Sequence, residues 1–414
     1  MGFDNLFFLI ILASVVGFYL LDTVASLLNL KALRPELPAR FADVYDPEKY
    51  RKSQEYTRTG TRFDLVQSTF HLVVFLLFWL LGGFRWFDGW LTDLGHGAVV
   101  SGLICFGLLF VVSSLLSLPF ELYDTFVLEE RFGFNKSTMG TFWVDQIKNI
   151  GLSAVLGLPL AALILWFFGK YPDHGWLWAW IALASFTLLM SWLAPVVILP
   201  LFNKFEPLED GDLKNAINSM AADCDFPLAE LSVMDGSKRS AKSNAFFTGF
   251  GKNKRIALYD TLVEQQETDE LVAVLAHEIG HFKKKHIVQR MIVMMIQMGV
   301  VFFLLSLFLG KVEMFQAFGI EKPTIYFGLV FFTLLFKPVS RILSVFSSIW
   351  SRKHEFEADA YAADKTGGPA SLISALKKLS VANLGNLTPH PFYSFLYHSH
   401  PPVLERIEAM EQQR

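Results

Sequence analysis

The chain has little cysteine and little charge. Its two cysteines in 414 residues are Cys105, in an apolar run, and Cys224, in a polar segment. This excludes a disulfide framework and a cysteine-type zinc site. Both read as plain thiols in lipid or on the reducing side of a membrane. Charged residues make up 18%, against roughly 25% in an average soluble domain. A net charge of −3 provides no basic footprint for nucleic acid, and the composition excludes a disordered chain or a coiled coil. No internal repeat or low-complexity segment is visible. What fills the chain is apolar: 53% hydrophobic residues, with 41 Phe among them, and a mean hydropathy of +0.39. So much apolar surface does not fit inside one soluble core, so the chain reads as an integral membrane protein with a moderate soluble portion.

A hydrocarbon core takes about 20 apolar residues in helix. Seven stretches qualify, at about Leu6–Leu30, Phe70–Trp86, Ala98–Phe120, Ile150–Phe168, Trp176–Leu201, Met291–Gly310 and Ile325–Trp350. The second is short and stops at Gly82-Gly83. The last is interrupted by Lys337, Pro338 and Arg341. No basic region precedes the first and no small-residue cleavage site follows it, so it reads as a retained helix, not a cleaved signal. Lys and Arg concentrate in alternate loops: Lys31, Arg34, Arg40, Lys49, Arg51, Lys52, Arg58 and Arg62 in the first, against Arg85 alone in the second and Lys170 alone in the fourth. The positive-inside bias then places the N-terminus outside and the C-terminus in the cytosol.

The fold class expected is predominantly α: a polytopic membrane protein of seven helices with a cytosolic-side soluble unit carrying a small β-sheet. Residues 1–201 hold five spans, with cytosolic loops at 31–65 and 121–149. Residues 202–288 form one soluble stretch, 289–350 hold spans six and seven, and 351–414 form the second soluble stretch. In the first soluble stretch Leu231–Asp235 and Ile256–Tyr259 read as strands and Asn244–Gly249 as an extended segment, with Gly236, Gly249, Gly251 and Asn253 supplying turns. A helix starts near Thr268, a plausible N-cap, with Asp269 and Glu270 suited to its first turn.

That helix carries His277-Glu278-Ile279-Gly280-His281. Residues four apart share a helix face, so both imidazoles can reach one metal. Glu278 is placed to act as general base toward an attacking water and then as proton shuttle. Two imidazoles and a carboxylate suit zinc. The third ligand is sought in Arg352–Tyr361, which reads as a separate helix ended by Gly367-Gly368. Glu355 and Asp359 share a face there, so Glu355 can ligate while Asp359 supports a His ring N–H. Glu357 lies about 200° round the helix and points elsewhere. His354 is a rival ligand without a same-face partner.

Three further features have two readings each. His400 and Arg406, in and after His398-Ser399-His400-Pro401-Pro402, could serve an oxyanion and a substrate carbonyl or carboxylate, or form a polar turn with a helix cap. Asn244, Ala245 and Phe246 could be an edge strand that pairs with an extended peptide, or a core strand. Asp22, Glu121, Asp124, Gln289, Arg290, Gln297, Lys337 and Arg341, inside or beside the spans, could line a wet chamber, or snorkel near helix ends and bind helix to helix. Lys337 and Arg341 share a face, which favours a wet interior there.

Together these residues resemble the type I CAAX prenyl endopeptidases, integral-membrane zinc proteases. The resemblance runs through Phe126–Asn135, Ser243–Phe246, Gly249–Ile256, His277–His281, Glu355–Asp359, and His398–Pro402 with Glu405-Arg406. It implies one zinc on His277, His281 and Glu355, Glu278 as catalytic base, a chamber enclosed by the seven helices, and substrate contacts at His400, Arg406 and Asn244. It implies removal of the terminal three residues after a prenylated cysteine. The partners implied are prenylated or other peptide substrates and the bilayer. The soluble loops look short for a eukaryotic member, which points to a bacterial inner membrane; a eukaryotic chain would lie in the endoplasmic reticulum. A quality-control membrane zinc protease keeps the same chemistry with another substrate, and a transporter with an incidental HExxH is a third reading.

Overall fold

Seven helices among the described residues have the length and apolar composition to cross a bilayer: Leu6–Ala32, Pro47–Leu80, Ala98–Phe132, Met139–Lys170, Gly175–Phe202, His286–Phe308 and Ile325–Lys365. The computed structural model describes residues 4–248 and 254–412. Four of these helices run well beyond the apolar stretches that reveal them. The second begins at Pro47, with Asp46 as N-cap accepting from the backbone N–H of Glu48 at 2.8 Å. Proline at the first helical position and an Asp before it make a strong start signal, so the basic residues Lys49–Arg62 lie on a helical extension and not in a loop.

The seventh span is a single helix of 41 residues that continues through Pro338. The expected break after Trp350 does not occur, and the segment holding Glu355 and Asp359 is the last third of this helix. Arg341 is partnered: its guanidinium lies 2.8 Å from Asp22 of the first span and 4.7 Å from the ring centroid of Tyr397, whose hydroxyl also donates to Asp22. Polar residues here join three segments, which is the helix-binding reading at this position. Glu121 likewise accepts from Gln146 at 2.7 Å.

Outside the spans, four strands form a sheet in the order β1-β2-β4-β3: β1 Phe205–Pro207, β2 Leu228–Met234, β3 Ala245–Thr248 and β4 Lys254–Tyr259. β2 and β4 are parallel, and β1 and β3 lie antiparallel at the two edges. The HExxH helix is Thr268–Lys283, with Glu267 as N-cap, one residue before the expected Thr268. A capping box explains the shift: Glu270 reaches back to the Glu267 N–H at 2.8 Å. Glu270 also takes Ser374 Oγ at 2.6 Å and Lys378 Nζ at 2.8 Å, which ties this helix to helix Ala370–Ala382. Leu271, Leu275 and Ile279 are buried with Leu231, Ile256, Leu258 and Leu372 in one core. That core fixes the sheet, the HExxH helix and the C-terminal helices as one unit.

Candidate metal centre and peptide-binding edge

The two halves of the site come from helices that approach closely. Gly280, inside the pentad, is what permits this: a Cβ there would stand 3.2 Å from the Ala358 Cα and 3.2 Å from the Tyr361 side chain. Ala358 and Ala362 opposite are fully buried. With only small residues at the crossing, His277 and His281 meet Glu355 across it.

The result is a close cluster in which the two imidazole Nε2 atoms are in contact and each faces one oxygen of the Glu355 carboxylate. His281 Nε2 lies 3.2 Å from His277 Nε2, His277 Nε2 lies 3.5 Å from one Glu355 oxygen, and His281 Nε2 lies 3.4 Å from the other. Ligands about 2.0–2.1 Å from a tetrahedral ion stand roughly 3.3 Å apart, so this set fits zinc. Among the described residues it is the one cluster of His, Cys, Asp and Glu with metal-binding spacing. His277 Nδ1 lies 2.9 Å from Asp359 Oδ1. Donation from Nδ1–H to that carboxylate leaves the Nε2 lone pair toward the metal position. Asp359 is in turn held by Arg406, with Nε at 2.8 Å from Oδ2 and Nη2 at 2.5 Å from Oδ1.

Without a metal, the histidine pair carries one proton beyond its two neutral rings, and it resides on His277. Burial alone would lower the pKa of His277, but the hydrogen bonds to Asp359 and Glu355 outweigh it and raise it to about 9. Burial and the adjacent His277 cation push His281 down to about 3. Burial raises the Glu278 carboxyl. A metal held through His277 Nε2 would have to displace that proton. Apparent zinc affinity of the metal-free protein is expected to rise by up to about tenfold per pH unit between about pH 6 and 9. Chelator competition across that range measures this, and a flat profile would mean His277 is already neutral.

A cavity of about 170 Å³ brings together His277, Glu278, Glu355, Asn244, Ala245, His400 and Arg406. His400 Nε2 lies 3.4 Å from Glu355 Oε1, and its side chain is 65% exposed, so it can meet an incoming ligand. Its loop is anchored by Arg352, whose Nη1 donates to the His398 carbonyl at 2.6 Å. Arg406 Nη1 stands 3.7 Å from Glu355 Oε2 while the rest of the fork is committed to Asp359.

β3 forms the rim. Asn244 O accepts from Tyr259 N–H at 3.1 Å. Alternation along an antiparallel pair then turns the backbone groups of Ala245 and Phe247 to the free edge. The Ala245 N–H is taken by the Asn244 side chain at 2.8 Å. Phe246 stands on the other face, near Tyr259 and in a separate cavity with Pro195 and Leu199, so the sheet sets its side chain away from the metal centre. Phe247 packs against the core.

The third-loop motif Phe126–Asn135 supports this rim from behind. Ala241 N–H donates to Phe134 O at 2.9 Å, and Lys242 Nζ lies 2.8 Å from Glu129 Oε2. The expected motif residues 249–253 lie outside the described residues. One site residue goes unmarked in the sequence reading. His286 is the first residue of the sixth span, 1% exposed, with Nδ1 at 2.9 Å from His281 Nδ1. A histidine nine residues after His277 is the sole signal for it.

Known proteins agree with this architecture. Residues 26–204 match the family described as CAAX prenyl protease N-terminal, five membrane helices, and residues 207–414 match peptidase family M48. The CAAX prenyl protease 1 homolog of Arabidopsis thaliana is 38% identical, over 96% of this chain and 97% of that protein. CAAX prenyl protease 1 of Saccharomyces cerevisiae is 37% identical, over 92% and 90%. The chain thus spans nearly the full length of these eukaryotic relatives, and short loops do not set it apart from them. The crystal structure of S. mikatae Ste24p superimposes with a TM-score of 0.92 at 36% identity, covering 98% of this chain and 99% of that one. The chain belongs to the CAAX prenyl protease family of M48 metallopeptidases, and it is a multi-pass integral membrane enzyme.

Proposed function

We propose that this enzyme is a zinc endopeptidase that removes the C-terminal tripeptide from prenylated CAAX proteins. The observation that carries the reading is the cluster of His277, His281 and Glu355 donor atoms within 4.8 Å of one another, beside Glu278 and a strand at the sheet's edge among the described residues. His277, His281 and Glu355 would hold the zinc. Bound there, zinc supplies Lewis acidity, acidifying water and polarising a carbonyl.

The chain's own residues do the rest. An extended peptide pairs with the outward backbone groups of Ala245 and Phe247, and Asn244 yields its contact with the Ala245 N–H to the substrate or shares it. Phe246 turns its backbone groups to β4 and its side chain to the other face, so it holds the strand in register without touching the peptide. Glu278 takes the proton of the attacking water and returns it to the leaving amine nitrogen as the C–N bond breaks. His400 donates to the developing oxyanion. Arg406 aligns Asp359 and offers Nη1 to a substrate carbonyl or carboxylate.

The Lys and Arg distribution supports a site on the cytosolic side. The apolar windows of the spans bury at most 17% of their residues. The exposed faces are those that meet lipid together with those that would enclose a chamber for a prenyl chain.

The test is a cleavage assay of purified enzyme on a farnesylated C-terminal peptide and its unprenylated twin, with products mapped by mass. Release of the intact tripeptide from the farnesylated peptide, lost on chelation and restored by zinc, is expected. Equal cleavage of both peptides would favour the quality-control reading, and no cleavage of either would overturn the proposal.

A further inference from the structure

His286 sits at the metal centre with no part in the chemistry above. Its position depends on the turn between the HExxH helix and the sixth span. Lys285 takes a left-handed conformation, φ 58°, which a residue with a Cβ adopts at a cost of about 1 kcal/mol. The chain reverses there, and the first residue of the span faces back onto His281. The His286 ring lies flat on His354, centroids 3.8 Å apart and planes within 4°. Its Nδ1 is 2.9 Å from His281 Nδ1, and its Nε2 is 3.0 Å from Glu357 Oε2.

Proton positions along this chain are determined. Two imidazole nitrogens in contact need one donor and one acceptor. If His281 presents Nε2 to a metal, its proton is on Nδ1, which donates to His286 Nδ1. The His286 proton must then be on Nε2, where the Glu357 carboxylate accepts it. With a neutral His286 ring one arrangement satisfies every contact, and it is the one that makes His281 a ligand. His277 has Asp359 directly behind it, and His281 has a carboxylate at one remove.

We infer that His286 is a positioning residue: with Glu357 it holds His281 in the metal-binding tautomer and orientation, and it fastens the start of the sixth span to the metal centre. This rests on the reading of His281 as a zinc ligand.

The experiment uses the full-length protein in detergent, loaded with zinc, and follows zinc transfer to a chromophoric chelator. Cobalt-substituted protein gives the ligand-field spectrum. His286→Phe keeps a flat ring against His354 but neither hydrogen bond, and His286→Gln offers both an acceptor and a donor. Metal loss roughly 10–100-fold faster than wild type is expected for His286→Phe, with a shifted cobalt spectrum and most of the loss recovered in His286→Gln. Glu357→Leu, at a half-exposed position, is expected to lose metal several-fold faster and covers the case in which His286→Phe does not fold. Wild-type release rates in both His286→Phe and Glu357→Leu would overturn the inference. So would equal defects in the Phe and Gln variants, which would assign the loss to packing. Wild-type protein that holds no stoichiometric zinc would overturn the ligand reading itself, and that result is distinguishable from the other two.

Discussion

Glu278→Gln is expected to abolish peptide cleavage while the protein keeps its metal. The carboxamide has the size of the carboxylate and cannot accept the water proton. Positioned general bases contribute about 10²–10⁴-fold, and here the same group also delivers the proton to the leaving nitrogen. A fall in kcat of about 10³-fold or more is expected, with KM nearly unchanged, because Glu278 acts on the reacting atoms and not on the peptide backbone. Metal content should not change, since the three clustered donor atoms belong to His277, His281 and Glu355. Burial raises the carboxyl above its ordinary value, which suits a group that must accept a proton and release it in the same turnover. Single-turnover cleavage together with zinc quantitation checks this. Activity within tenfold of wild type, with metal bound, would remove Glu278 from the chemistry.

The parts of the site legible in the sequence are those set by one helix. His277 and His281 share a face by spacing alone, and so do Glu355 and Asp359. What joins the two pairs is a crossing between helices about 75 residues apart in the chain, and its sequence trace is only Gly280 opposite Ala358 and Ala362. The expected end of the seventh span at Trp350 came from the charged run that follows it, and Lys337, Pro338 and Arg341 interrupt the apolar pattern within it. The helix survives because proline removes a single hydrogen bond and Arg341 finds Asp22 on another span. Glu357 does point away from Glu355, as helical geometry requires. That direction leads to His286, which arrives through a left-handed Lys285 that no turn residue announces. The start of the second span was legible in Asp46-Pro47, but hydropathy finds only the apolar half of a helix whose other half is charged.

Arg406→Met is expected to be among the most destabilising single changes in the soluble unit. The guanidinium side chain is 10% exposed and Asp359 only 2%, and the fork joins the C-terminal helix Val403–Gln412 to the long helix carrying both carboxylates. Truncating it leaves the buried carboxylates of Asp359 and Glu355 with the single His277 cation between them, so one negative charge has no counterpart. Breaking a buried pair in this way costs about 3–5 kcal/mol, because the uncompensated charge remains out of water. Arg406→Lys keeps the charge but cannot span both Asp359 oxygens, so a smaller loss is expected. Asp359→Asn still accepts from His277 through its side-chain carbonyl and removes the charge that Arg406 neutralises. Combining it with Arg406→Met should therefore cost less than the two single effects added, by at least about 1 kcal/mol. Denaturation midpoints of the metal-free proteins in detergent, taken as a double-mutant cycle, give this coupling directly. Additive losses would mean that the pair is solvated and that Asp359 does not depend on Arg406 for its place behind His277.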